Sequence, residues 1–295
     1  MSHITLTWNA DGSIESFSVY RAEQSLDLNN LPTPIATGIT DKTYVDSDII
    51  EGKTYFYRIA SIKGSQQKIS DEVSLLATQT APEVVDYVPS FYTTAQSQTR
   101  NLPTTIQDND LLIAVVMHRD TLTLPEGWTL LSKNVGKNNE FTQYMSIIYK
   151  TATRNDANTA LTLTQATSTR FASHILVFRH NNGCTVLQNN GQDKCTVNNQ
   201  ILLSAELTAK KVGIGLICAN WIYAQVGVAT SYSLANGYTA LEQTKTDDAE
   251  HQIRQAVGYK EVKLGEKVTS NITTSNTTAA SVETACVATL LITAK

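Results

Sequence analysis

Ile50-Glu51-Gly52-Lys53-Thr54-Tyr55-Phe56-Tyr57-Arg58-Ile59-Ala60 decides the fold of the first part of the chain. Tyr55, Tyr57 and Ile59 recur at period two, the pattern of a strand with one buried face. Gly52 supplies a turn just before it, and Gly64-Ser65 a hairpin turn after it, leading into the strand Glu72-Val73-Ser74-Leu75. Working upstream, Tyr44-Val45-Asp46 and Phe17-Ser18-Val19-Tyr20-Arg21 alternate in the same way. Ile4-Thr5-Leu6-Thr7-Trp8 places Ile4, Leu6 and Trp8 on one face, and Asn9-Ala10-Asp11-Gly12-Ser13 is a turn. Composition carries this β character through all 295 residues: 40 are threonine, which is stiff at χ1 and prefers a pleated sheet. Charged residues are 17% of the chain, against roughly 25% in an average globular protein. An all-β fold is expected, and a helical bundle, a disordered tail or an ordinary cytosolic α/β enzyme is disfavoured.

Thr78-Gln79-Thr80-Ala81-Pro82-Glu83 is a short polar linker with a proline stop, which sets domains at 1–81 and 82–295. The second stretch alternates strand-like runs with polar turns and carries an internal repeat, about 100–180 and 212–292. In the first copy Leu111-Leu112-Ile113-Ala114-Val115-Val116 precedes Pro125-Glu126-Gly127-Trp128-Thr129-Leu130, then Ile147-Ile148-Tyr149-Lys150. In the second, Val212-Gly213-Ile214-Gly215-Leu216-Ile217 precedes Ala235-Asn236-Gly237-Tyr238-Thr239-Ala240, then Val257-Gly258-Tyr259-Lys260. Trp128 to Tyr149 and Tyr238 to Tyr259 are both 21 residues. Two similar β half-units can form one large sandwich or two stacked ones.

The first domain resembles a fibronectin type III domain over nearly its full length. Trp8, Val19-Tyr20-Arg21 and Thr43-Tyr44-Val45-Asp46 match its strands, and Ile50 to Tyr57 has the form of its tyrosine corner, with Tyr55 as the residue whose hydroxyl bonds back to the chain upstream. Such domains have a strand before the Trp strand, whereas only three residues precede Ile4. The expectation is either a fragment of a longer protein or a sandwich short of one strand, with an edge for a neighbour to cover. The second domain is similar, more loosely, to β-sandwich modules of bacteriophage tail and virion-associated proteins. The pieces that carry this are Asn109-Asp110-Leu111-Leu112-Ile113, Leu124-Pro125-Glu126-Gly127-Trp128-Thr129-Leu130 and Ile148-Tyr149-Lys150, and they weaken in the second copy. A larger jelly-roll-like sandwich of two half-units is the fold expected there.

Residues with chemistry are few. Cys184, Cys195, Cys218 and Cys286 follow no metal spacing; Cys184 and Cys195 could form a disulfide across a polar loop, or all four are free thiols. His118, His174 and His180 read as strand-end or hydrogen-bonded core histidines, and Asp247-Asp248-Ala249-Glu250-His251 as a solvated turn. No nucleophile elbow, phosphate-binding glycine loop or zincin helix motif is present. No enzyme, metal or cofactor is expected. The one asymmetry of the repeat is an insertion: Val116 to Gly127 takes 11 steps and Ile217 to Gly237 takes 20. It holds Asn220, Trp221, Ile222, Tyr223, Gln225 and Tyr232. Either these rings pack against the sandwich or a neighbouring subunit, or Trp221, Tyr223 and Tyr232 present an exposed platform with Asn220 and Gln225 beside them. Stacking rings and amides are what a carbohydrate-binding site uses.

A net charge of −4 argues against nucleic acid, and no apolar run reaches the roughly 20 residues of a membrane span. No signal peptide is visible at Met1-Ser2-His3-Ile4, which fits a protein assembled in a host cytoplasm and released by lysis. The resemblances therefore imply a non-enzymatic bacteriophage or prophage tail-fibre or tail-tip protein that binds the host cell surface or its glycans. Other virion proteins and further copies of itself, a trimer by resemblance, are its expected partners. The alternatives are a capsid decoration or structural adaptor protein, and a capsule-degrading carbohydrate-active enzyme.

Overall fold

The computed structural model describes residues 3–137, 142–194, 206–223, 230–234, 237–241, 244–247, 252–269, 273–276 and 282–295. For 192–194, 222–223, 230–233, 244–247, 252, 273–276 and 282–284 it describes the backbone alone. The protein is 64% strand and 1% helix, an all-β fold of antiparallel sheets. It divides into two compact units, Met1–Thr80 and Ala81–Lys295.

In the first unit β1 (Ile4–Thr7) pairs β4 (Thr43–Asp46) as a two-stranded sheet. The larger sheet holds β2 (Ser16–Ala22), β3 (Ala36–Ile39), β5 (Thr54–Lys63), β6 (Gln66–Ile69) and β7 (Val73–Leu76). Its order is β3-β2-β5, with β6 and β7 pairing successive lengths of β5. Ile4, Leu6, Val19, Tyr55 and Tyr57 form the buried core between the sheets, as alternation requires. The Tyr55 hydroxyl accepts the Ile50 N–H at 2.8 Å, which ties the chain before β5 to the strand itself. Tyr57 donates to Asp46 at 2.7 Å, and the Arg21 guanidinium holds the same carboxylate at 2.9 Å. A hydroxyl and a carboxylate can be buried here because each is satisfied by the other and by Arg21.

The second unit contains two sheets of the same design. The first has β8 (Glu83–Asn101), β9 (Leu111–His118), β10 (Leu122–Thr123), β11 (Thr129–Lys137), β12 (Thr142–Thr151) and β13 (Ala160–Arg179). Their order is β11-β12-β9-β13-β8, with short β10 also on β13. The second has β14 (Cys184–Lys194), β16 (Gly213–Tyr223), β18 (Thr239–Ala240), β19 (Thr244–Asp247), β20 (Gln252–Val262) and β23 (Val282–Ala294). Their order is β14-β23-β16-β20, with β18 and β19 on the far side of β20. Two-stranded ribbons complete it: β15 (Glu206–Thr208) with β21 (Lys267–Thr269), and β17 (Thr230–Ser233) with β22 (Thr273–Asn276).

The two sheets correspond residue by residue. Thr129 pairs Tyr149 and Thr239 pairs Tyr259, so Trp128 and Tyr238 precede equivalent positions. Tyr149 pairs Ile113, which pairs Leu176; Tyr259 pairs Leu216, which pairs Leu290. A bulge falls at the same place in both, with one extra residue between Val84 and Asp86 opposite Phe178 and Val177, and one between Val186 and Gln188 opposite Ile292 and Leu291. Asn158 and Gly265 both take a left-handed backbone, each one residue before a matching bond: Leu102 N–H to Thr159, and Ala209 N–H to Glu266.

Both faces of the central strand β9 are buried, which is why it reads as an unbroken apolar run rather than an alternation. Leu111, Ile113 and Val115 face the other sheet, in a shared core with Ile214, Leu216, Cys218, Leu290 and Ile292. Leu112, Ala114 and Val116 face away, into a core with Trp128, Leu161 and Phe171; Ile217, Val262, Val268 and Leu291 form its counterpart. The half-units are thus stacked through their central faces. β11 lies over β14 and β19 lies over β8, and these are one contact related by a pseudo-two-fold axis. Correspondingly, the Cys286 thiol reaches the Gln143 carbonyl, while the equivalent residues Ala172 and Ile253 touch across the same seam. The approach is close at Gly136, where a Cβ would sit 2.8 Å from the Ala285 carbonyl oxygen.

Candidate functional site

The structure corrects the expected platform at two of its residues. Trp221 is 1% exposed and Asn220 0%, so neither presents a surface. The reason is their strand: β16 lies between β20 and β23, and both its faces are covered. By register Trp221 corresponds to His118, the last residue of β9, so the extra residues of the second copy follow Trp221. Asn220 points into the central seam, on the same face as Cys218 and Leu216, and neither of its amide atoms has a hydrogen-bond partner among the described residues. Trp221 points outward beside Arg254, its cross-strand neighbour, itself 1% exposed. Their counterparts in the first copy are His118 and Tyr144, which stack at 5.3 Å. The insertion therefore starts from a position that packs in both copies. Tyr223 is paired in β16 and Tyr232 in β17, but their side chains lie outside the described residues, as does Gln225 altogether.

Two histidines are sealed in the second unit, as hydrogen-bonding or packing groups. His118 has Nδ1 2.5 Å from the Asp120 carbonyl oxygen and Nε2 2.8 Å from Ser146 Oγ. A carbonyl only accepts, so Nδ1 carries the proton and Nε2 accepts from the serine. Burial pushes the His118 pKa down to about 4 and keeps the ring neutral. A serine bonded to an imidazole is also how a nucleophile is activated, yet Ser146 is 1% exposed and His118 0%, which leaves no room for a substrate. His174 lies on the central face, stacked on Tyr87 at 5.6 Å, with neither ring nitrogen bonded among the described residues. Burial, together with the Arg100 charge, pushes its pKa down to about 3.

The Asn109-Asp110 pair that opens β9 has a structural role. Asn109 takes a left-handed turn, and Asp110, 1% exposed, is gripped by Arg179 through Nε at 2.8 Å and Nη2 at 2.7 Å. In the second copy the equivalents are Gly213 and Thr293, so the ion pair is gone and the buried Thr293 hydroxyl has no partner among the described residues. Cys184, Cys218 and Cys286 are buried free thiols, and Cys195 lies outside the described residues with 248–251 of the acidic turn. Burial raises the Cys184 pKa to about 12, which leaves it an unreactive thiol. Among the described residues no group of three His, Cys, Asp or Glu side chains is placed to hold a metal ion.

A large concavity that sequence reasoning missed lies in the first unit. A trough of about 860 Å³ opens between the turn Trp8–Asp11, with Ile14, and the inner side of the β5–β6 hairpin. Trp8 and Ile59 give it an apolar floor, Asn9, Gln66 and Gln67 supply amides, and Asp11, Asp71, Lys63 and Lys68 supply charges of both signs. The Trp8 indole N–H is buried without an acceptor among the described residues. No local sequence signal marks it, since its walls come from segments far apart in the chain. Comparison with protein-family models, curated proteins and solved structures finds no match to this chain.

Proposed function

We propose that this chain is a non-enzymatic structural protein of a bacteriophage or prophage virion, of the tail-fibre or tail-tip kind, that holds the particle to host surface glycans. In this proposal the first unit is a fibronectin type III-like spacer, a reading supported by the bond from Ile50 to Tyr55, and the second a jelly-roll-like head. The observation that carries the non-enzymatic part is the fate of the reactive groups: His118, Ser146, His174 and the three thiols are spent on packing. The head's low charge density and hydroxyl-rich strands suit weak, repeated contact with polyhydroxylated surfaces. The glycan contact is proposed for the segment from Tyr223 to Tyr232 and not for Asn220 or Trp221. Further copies of the chain, as a trimer, and other virion proteins are the proposed partners. Gold-labelled antibody against the purified chain, applied to particles from the source culture, should decorate the tail. Unlabelled particles would refute a virion role, and label confined to the capsid shell would favour the decoration protein.

A further inference from the structure

We propose that the central seam of the second unit is selective: each half-unit accepts the other, and a second copy of this chain cannot supply a like half in its place. The half-units are similar, stack through the same face and are joined only by His180–Gly183, the circumstances in which chains exchange units with one another. Two glycines at the seam oppose such exchange. Register puts Ser90 at the place of Gly191: Phe91 after the first pairs Ser173, and Gln192 after the second pairs Val287. A Cβ at Gly191 would stand 2.0 Å from Asn134 Nδ2 across the seam, and Asn134, itself buried, has little room to give way. Two first half-units would bring Ser90 to that spot. Register also puts Thr246 at the place of Gly136, since Gly136 pairs Gln143 and Thr246 pairs the equivalent Ile253. Two second half-units would thus set a threonine where a Cβ stands 2.8 Å from the Ala285 carbonyl oxygen.

The polar groups of the seam follow the same plan. Ser90 donates to Gln255 Oε1 at 2.5 Å, and Gln255 Nε2 donates to the Val115 carbonyl at 3.1 Å, both across the seam. The counterparts of Ser90 and Gln255 are Gly191 and Met145, so on the other side of the axis a glycine meets a methionine. Beyond them Met117 packs on Ile253, and the counterparts of that pair are two buried amides, Asn220 and Gln143. Polar residues therefore stand opposite polar ones and apolar opposite apolar, but only when unlike halves pair. Two first half-units would set Ser90 against Met145 and Gln143 against Met117. Two second half-units would strand Gln255 against Gly191 and Asn220 against Ile253. Each stranded buried amide disfavours a pairing by about tenfold. The inference goes beyond the proposed function: it holds whatever the head binds, and it directs copies of the chain to meet through outer surfaces.

The test makes the seam alike on both sides of the axis in the full chain, with Ser90→Gly, Thr246→Gly, Gln255→Met, Asn220→Met and Gln143→Ile together. Wild type and variant are unfolded in urea, refolded over a range of chain concentrations, and weighed by light scattering and native mass spectrometry. Exchange of half-units gives a species of twice the never-unfolded mass, in a share that rises with the concentration during refolding and survives later dilution. The variant is expected to form at least about tenfold more of it than the wild type. Ser90→Gly with Thr246→Gly, which removes the two steric blocks and keeps the amides, is the milder variant and should form a smaller share of the same species. A wild type that doubles as readily as the variants would overturn the proposal. So would variants that fold, by circular dichroism and urea midpoint, yet form none of the doubled species.

Discussion

Lowering the pH from 7.5 to 5 should remove about 4 kcal/mol from the stability of the second unit. His118 and His174 are neutral in the folded state, with pKa values held near 4 and 3 by burial. In the unfolded chain each protonates near its ordinary value, about 6.5. The folded pKa is the lower one, so the stabilisation is complete above about pH 7 and declines as pH falls through 6.5 toward the folded values. Each histidine contributes a slope of about 1.4 kcal/mol per pH unit, hence about 2 kcal/mol apiece by pH 5. Carboxylates contribute little in this window, because Asp and Glu of the unfolded chain titrate at about 4, below pH 5. Asp108, Asp120, Asp156 and Glu206 are held lower still when folded, so their contribution is lost only in more acid solution. The assay is urea unfolding of the full chain carrying Trp8→Phe, so that emission reports Trp128 and Trp221 alone. The variant His174→Phe, which retains a ring against Tyr87, should halve the slope, and adding His118→Gln should abolish it. A midpoint unchanged from pH 7.5 to 5, or a slope that survives both substitutions, would refute the reasoning.

Three further outcomes follow from the packing. Tyr55→Phe removes the bond from the Ile50 N–H and should cost the first unit about 1 kcal/mol, read as a lowered urea midpoint. Asp110→Asn leaves Arg179 beside a neutral amide and should cost about 3 kcal/mol or more, whereas Thr293→Val, at the equivalent site of the second copy, should be neutral or stabilising because its hydroxyl has no partner among the described residues. Trp221→Ala should cost about 3–5 kcal/mol in thermal or urea melts while leaving glycan binding per folded molecule unchanged.

The β character was legible because period-two alternation and threonine content act locally, and the register of the repeat was legible as two equal spacings of 21 residues. What the sequence hid was which face each strand covers. In β9 and β16 both faces are buried, so alternation vanishes and Trp221 cannot be told from an exposed ring. Aromatic and amide neighbours suggested a sugar platform, but residues 220 and 221 belong to the middle strand and point to opposite cores. The trough at Trp8 was invisible for a different reason: its walls come from residues some fifty positions apart, the turn after β1 and the β5–β6 hairpin. The weakened motif of the second copy has a local cause, since Gly213 and Thr293 replace the Asp110–Arg179 pair.

The claim that the chain binds host glycans without cleaving them is tested most directly by an array of bacterial surface polysaccharides, read for both bound chain and released reducing ends. Saturable binding to some polysaccharides, lost on changing Tyr223 and Tyr232 to alanine and unaccompanied by reducing-end release, is the predicted result. Reducing-end release would make the protein a depolymerase, and absence of binding to every polysaccharide by the folded, assembled chain would contradict receptor binding altogether.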